Sequence, residues 1–509
     1  VTPGALVRLA LAGTRTDTAR VLLTALSAVL AALAVLAAFT VLAIPTPPAT
    51  ADNPVRWSEH YSQALLREPG LRGGTAFALV LLTVPVLALA GQCARLGAPA
   101  RDRRLAALRL AGATPRQVTW LAMLETGVAS LLGTLTGLGL YLAARELLHR
   151  PDEHGRLALP TDVLPPVGAL AAVVLGLPVV AGAATALMLR GVITTPLGVT
   201  RRAARERGPG PGAMVLIVVG AAVLVLGWPL LARWSAYGPS AALGPVFLVG
   251  GGLAALAGVV SAAGWFSYTT GRVLRRYARR PAALLAASRL MADPWAGSRT
   301  FAALLAAVTF GAGAAALRAH FVAQDELRRE ASRRVGVEAG DNPFYLATMT
   351  LVDLAVTVAV VIAAAGLLVA VVEGIVARRR AYAALVATGV PRGTLARSIA
   401  WQSVLPAVPA ILLALAVGTL VARGLFGDAT SGSYTSLVCD AGERLCSDPA
   451  TRERYSRIVE VPATHRVPDV PLEHLALLGA GALAAVLVTV AVGLLFLRSS
   501  TAVEELRAT

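Results

Sequence analysis

Arg101-Asp-Arg-Arg-Leu-Ala-Ala-Leu-Arg-Leu-Ala-Gly112-Ala-Thr-Pro115-Arg116 is a short basic stretch set between two long apolar ones. A second copy follows, Arg378-Arg-Arg-Ala-Tyr-Ala-Ala-Leu-Val-Ala-Thr-Gly389-Val-Pro391-Arg392, again between apolar runs. Gly112 and Gly389 lie 277 positions apart, and the same offset carries Arg103 to Arg380, Leu108 to Leu385 and Glu125 to Gln402. Ala and Leu match by chance in a chain this rich in them, whereas Gly and Arg held in one register do not. The chain therefore reads as a duplicated membrane unit whose repeated part is built to touch something in the cytosol.

Of 509 residues, 56% are hydrophobic and 15% charged, where a soluble domain has roughly a quarter of its residues charged. The deficit and the long apolar runs define a polytopic membrane protein. Net charge is +17, a value that by itself suits a nucleic-acid binder. The arginines instead sit in short loops beside apolar runs, as topology signals do, and nucleic acid is excluded as a partner. No lysine occurs anywhere in the chain. A P-loop needs one to reach the β- and γ-phosphates. No ordinary Walker A site is expected here, and any ATP and Mg that drive the protein belong to a separate ATPase subunit.

Ten stretches approach or exceed the roughly 20 residues a helix needs to cross a bilayer. They are 21–44, 73–94, 118–143, 164–189, 213–233, 243–270, 300–320, 347–377, 397–425 and 474–497. Segments 1–20, 95–117, 190–212, 271–299 and 378–397 are rich in Arg and poor in acids, whereas 45–72, 144–163, 321–346 and 426–473 hold most of the Asp and Glu. Arg close to the spans marks the first set, with both termini and both basic copies, as cytosolic. Val21–Ile44 has 24 residues, longer than the apolar region of a signal peptide, and is expected to stay as the first span.

Spans 2–4 match spans 8–10, six crossings later, so the copies run in the same direction. Inverted-repeat carriers are disfavoured on that ground. Arg8-Leu-Ala-Leu-Ala and Ser288-Arg-Leu-Met-Ala, each ahead of the first span of its half, read as interfacial helices. The expected architecture is all-α and polytopic, with about ten transmembrane helices. Residues 1–190 form a first repeat, 191–285 a central linker of spans 5 and 6, and 286–509 a second repeat.

In each basic copy the arginines suit a short amphipathic helix that stops at a left-handed glycine, Gly112 or Gly389. Pro115 or Pro391 then blocks continuation and favours the start of the next helix. This pattern resembles the hallmark of FtsX-like permeases of ABC transporters, with Arg103-Arg-Leu-Ala-Ala-Leu-Arg-Leu-Ala-Gly-Ala-Thr-Pro-Arg-Gln117 the closer copy and Arg379–Arg392 the looser. Two such units with a central pair of spans resemble the ten-span, mechanotransmission members. The resemblance implies a bacterial plasma-membrane permease working with two copies of a cytosolic ABC ATPase subunit. It also implies that Arg101, Arg103, Arg104, Arg109, Gly112, Pro115 and Arg116, and Arg378, Arg379, Arg380, Gly389, Pro391 and Arg392, form coupling segments seated on those ATPases. Bacitracin-type relatives carry a large external domain between spans 7 and 8, where this chain has only 321–346; its longest external stretch is 426–473.

Cys439 and Cys446 lie in that external stretch, and a disulfide between them is expected on the oxidising side. Cys93 reads as a small packed residue. Glu125 and its mate Gln402, with Asp353 and Glu373, place polar groups at membrane depth, where such side chains face the bundle or an aqueous cavity. A structural role is favoured for Glu125 and Gln402, and pairing with Arg378 for Glu373. Gly133-Thr-Leu-Thr-Gly137 fits close helix packing. No catalytic constellation or metal-ligand spacing emerges. The expected function is export or extraction of an amphipathic, membrane-partitioned molecule. A transducer acting on an external protein partner or a sensor kinase, and an ion-coupled carrier, stay open as alternatives.

Overall fold

A backbone that crosses hydrocarbon must satisfy its own N–H and C=O groups, and long runs of Ala, Leu and Val do so as α-helix. The computed structural model describes residues 15–50, 56–83, 86, 90, 110, 112–193, 210–235, 243–336, 344–439, 441, 446 and 453–500. The described helices of nine residues or more are α1 (Arg15–Ala43), α2 (Pro69–Leu81), α3 (Pro115–Leu147), α4 (Val167–Ile193), α5 (Gly212–Ser235), α6 (Leu243–Tyr277), α7 (Pro281–Ala292), α8 (Pro294–Val335), α9 (Phe344–Ala377), α10 (Arg379–Ala387), α11 (Arg392–Phe426) and α12 (Leu472–Ser500). Among the described residues eight of these, α1, α3, α4, α6, α8, α9, α11 and α12, are long and apolar enough to cross a membrane. The chain is an all-α polytopic membrane protein. The predicted spans 73–94 and 213–233 fall on α2 and α5, whose described apolar stretches are shorter.

Two groups of helices share one packing pattern. In the first, α1 packs on α2, α3 and α4, and α3 on α4; in the second, α8 packs on α9, α11 and α12, and α11 on α12. Small residues make the closest crossing in each. A Cβ on Gly133 or Gly137 of α3 would overlap α1 at Ala25, Ala28, Val29 and Ala32. At Gly418 of α11 it would run into Thr309 and Ala312 of α8. Lipid tails are as apolar as Leu, so such contacts gain from backbone proximity and dispersion rather than from expelling water. The pair α5–α6, expected as a linker, is docked on the second group: α6 packs against α8 and α11, and Val259, Ala262 and Ala263 are buried with Leu304, Val308 and Ala410.

Segment 321–346, read from sequence as a loop, is largely helix. α8 runs 42 residues before Gly336 ends it at φ +71°, about 63 Å at ~1.5 Å per residue, twice the roughly 30 Å of a bilayer's hydrocarbon. Against its C-terminal part stands an antiparallel ribbon, in the stretch 426–473 expected as an external loop. Strands β1 (Ala429–Ser431) and β2 (Tyr434–Cys439) pair with β4 (Thr464–Arg466) and β3 (Ser456–Val461) respectively. One register holds throughout, Ala429 opposite Arg466 and Tyr434 opposite Val461. The ladder is interrupted at Gly432–Ser433, opposite Pro462–Ala463, where Pro lacks an N–H to donate. Ala429 packs on Ala323 and Leu327, Val461 on Ala331 and Val335, and Arg466 pairs with Glu326 at 2.9 Å. The Cys439–Cys446 disulfide is formed at the tip of this ribbon.

Candidate functional site

The second basic copy folds as a short helix closed by a glycine turn. α10 is followed by its C-cap, Thr388, and Gly389 takes φ +91°. The Gly389 N–H donates to the carbonyl of Val386, and that of Val390 to Leu385, both at 3.0 Å. This is a Schellman stop, and the apolar contact that usually accompanies it is present, with Val390 and Leu385 sharing one cluster. Pro391 is the N-cap of α11, so the chain restarts as a span within two residues. The described part of the first copy has the same design: Gly112 at φ +94°, then Thr114 capping α3. Thr114 Oγ1 accepts from the N–H of Gln117 at 3.3 Å, and Gln117 Oε1 from the N–H of Thr114 at 2.9 Å. Pro115 occupies the first helical position. Arg101, Arg103, Arg104 and Arg109, with Cys93, lie outside the described residues.

The 277-residue register reappears as burial. Val118, Leu121 and Ala122 are buried at the head of α3, and their mates Leu395, Ser398 and Ile399 are buried at the head of α11. Beneath α10, Leu395 and Ile399 form a floor with Ile375 and the buried ring of Tyr382. Val386, which stands where the first copy has Arg109, packs into this floor, which accounts for its apolar character. The opposite face of α10 exposes Ala381, Ala384, Ala387 and Thr388, and beyond the turn Pro391, Arg392 and Gly393, with Arg378 exposed at the other end. It is a shallow, small-residue surface edged by guanidinium groups. The ribbon stands at the far end of α11, whose 35 residues span about 52 Å.

One contact that sequence reasoning missed ties α10 to its neighbour. Arg289 of α7 donates from Nη1 to the Tyr382 hydroxyl at 2.5 Å, and its guanidinium carbon lies 4.7 Å from the ring centroid. The signal lay in the sequence, an Arg in the interfacial segment and a Tyr in the basic one, but 93 residues separate them.

The polar residues expected at membrane depth lie on α3, α9 and α11. Asp353 of α9 forms an ion pair with Arg318 of α8. Arg318 lies within the predicted span 300–320. Gln402 donates to Ser398 Oγ at 3.0 Å within α11. Glu125 in α3 and Glu373 in α9 are half-buried.

At the other end of the first group the described residues form a polar cap. Buried Tyr61 donates to both Asp162 carboxylate oxygens, at 2.8 and 3.0 Å, while Arg145 donates to the carbonyl of Thr161. Burial, reinforced by Asp162, pushes the Tyr61 phenol above its ordinary range. Arg72, 5% exposed, donates to the carbonyls of Leu66 and Ile44 at 2.8 and 3.0 Å.

The fold and the paired glycine turns define a helical permease with one basic turn heading a long span in each half. The profile of the FtsX-like permease family, described as its C-terminal part, matches residues 75–197 and again 354–503, together more than half of the chain. The chain belongs to the FtsX-like permease family. It is an integral membrane protein of the kind that serves as the permease of ABC transporters, whose partners are ABC ATPases. No curated protein and no solved structure matches it.

Proposed function

We propose that this chain converts ATP hydrolysis by a separate dimer of ABC ATPases into export or extraction of an amphipathic molecule held in a bacterial plasma membrane. The two turns, at Gly112–Pro115 and Gly389–Pro391, face the cytosol and each seats on one ATPase copy, which binds the ATP and Mg. The observation that carries this reading is the exposed face of α10, small residues between Arg378 and Arg392, at the head of a span that ends at the ribbon. A surface of alanines admits close approach of a groove, and Arg groups at its edges form charge-assisted hydrogen bonds with acidic or carbonyl acceptors. Transmission is mechanical: α8, α9, α11 and α12 are long rods in close contact, and tilting them moves the outer ribbon. Asp353 is held by Arg318, an arrangement that serves packing between α8 and α9 rather than ion passage.

The test is co-purification of the full chain with the ATPase, followed by ATP turnover in lipid nanodiscs. The chain alone is expected to hydrolyse no ATP, and the complex to contain two ATPase copies. ATP turnover by the purified chain, or one ATPase copy per permease, would contradict the reading.

A further inference from the structure

α8 is the longest rod in the described structure, and it is the one on which the ribbon stands. Its inner end does not begin freely. Asp293 is at once the C-cap of α7 and the N-cap of α8, its side chain accepting from the N–H of Ala296 at 3.2 Å and from Arg299 at 3.0 Å. α7 and α8 are therefore two arms of one bent lever with a capped elbow. The inner arm, α7, buries Ala282, Ala286, Ala287 and Leu290 and packs against α6 and α11. It reaches α10 through Arg289.

We propose that Arg289 and Tyr382 are positioning residues, a clamp by which the second coupling helix drives α7 and, through the Asp293 elbow, swings α8 and the ribbon on its outer end. This rests on the reading that α10 seats on an ATPase. The geometry suits transmission for two reasons. The Arg289 guanidinium lies over the Tyr382 ring and donates to its hydroxyl, so a directional, charge-assisted hydrogen bond is added to a cation–π contact and fixes the relative position of α7 and α10. Tyr382 is 3% exposed and sits on the floor under α10, so a push on the outer face of α10 reaches the ring directly. The arrangement is one-sided. At the 277-residue offset the first copy has Leu105 in place of Tyr382, a side chain with neither a hydroxyl nor an aromatic face. The clamp thus makes the second half the driven one, the half that carries both the extended α8 and the ribbon.

The test uses the full chain with its ATPase in nanodiscs, Cys93 replaced by Ser, and spin labels at Thr435→Cys on the ribbon and Glu153→Cys at the outer end of the first group. Distances are measured without nucleotide and with ATP trapped by vanadate. Wild type is expected to shift its ribbon distance. Arg289→Gln and Tyr382→Leu are expected to keep the ATPase bound and lose that shift, with stimulated turnover down on the order of tenfold, the scale of a coupling between distant sites. Tyr382→Phe keeps the ring for the cation and should fall between, and Arg289→Lys should restore part of the shift that Gln abolishes. A merely structural contact would not sort the four variants in that order. An unchanged shift in Arg289→Gln would overturn the clamp, and so would loss of ATPase binding in it, because the contact would then build the docking face. Absence of ATPase from wild type is a separate outcome that would overturn the coupling reading and the clamp together.

Discussion

Gly389 and Gly112 adopt backbone angles that an L side chain enters at a cost of roughly 1–2 kcal/mol, and neither has an atom within 4 Å of where a Cβ would sit. The conformation, not the space, demands glycine. Gly389→Ala should therefore lower the unfolding free energy of the second half by about 1 kcal/mol, while Gly393→Ala, one position inside α11 with open surroundings, should be neutral or stabilising. Thermal unfolding in detergent, comparing the two variants, checks this. The ion pair of Asp353 with Arg318 gives a second expectation at this scale. Either Ala substitution alone leaves a half-buried charge facing the interface of α8 and α9, and the double substitution should cost less than the sum of the singles, with a coupling of about 0.5–3 kcal/mol; additive losses would contradict a direct interaction. Both glycine stops were legible because a left-handed stop has a strong residue preference. Arg318 was not, because ion pairing between two spans leaves no mark on local spacing.

At the scale of elements, eight of the ten predicted spans fall on described helices long and apolar enough to cross a membrane, and the stretch Ser288–Ala292, read as helix, lies in α7. Two features escaped. The continuation of α8 past its span is made of residues such as Asp325, Arg328, Arg329, Glu330 and Arg334, which pair along the helix at 2.8 to 3.1 Å. Charge marks the end of a span but not the end of a helix, and i,i+4 pairing sustains the helix in water. The ribbon was missed although Leu437-Val-Cys and Arg457-Ile-Val-Glu-Val461 are rich in β-branched residues, since polar external stretches of that length read as loop. Helix crossings supply the prediction here. Gly418→Ala puts a methyl group into the Thr309 carbonyl and the Ala312 side chain and must force α8 and α11 apart, at a cost of about 1–3 kcal/mol. Gly139→Ala on α3, with nothing within 4 Å, should leave stability within about 0.5 kcal/mol of wild type. Similar losses at both sites would contradict the packing described.

For the whole molecule, the repeated packing of α1 to α4 and of α8, α9, α11 and α12 gives two bundles that share a plan but not a load. The second bundle holds the α5–α6 pair, the clamped α7, the long α8 and the ribbon, whereas the first carries the compact Tyr61–Asp162 cap. Part of this asymmetry is written in the duplicated motif, where Leu105 and Arg109 of the first copy stand opposite Tyr382 and Val386 of the second. The rest arises from what surrounds each copy. The central claim, that the turn at the head of α11 is the docking surface for an ATPase, is tested most directly by cross-linking from the exposed face of α10. Ala384→Cys, with Cys93 replaced and the native disulfide intact, is placed in the full complex beside the ribbon control Thr435→Cys, and both are treated with a short bifunctional thiol reagent. Ala384→Cys is predicted to join the ATPase, in a yield that changes when ATP is trapped, and Thr435→Cys to give no such product. A complex in which Ala384→Cys never reaches the ATPase, or in which the ribbon position does, would contradict the account.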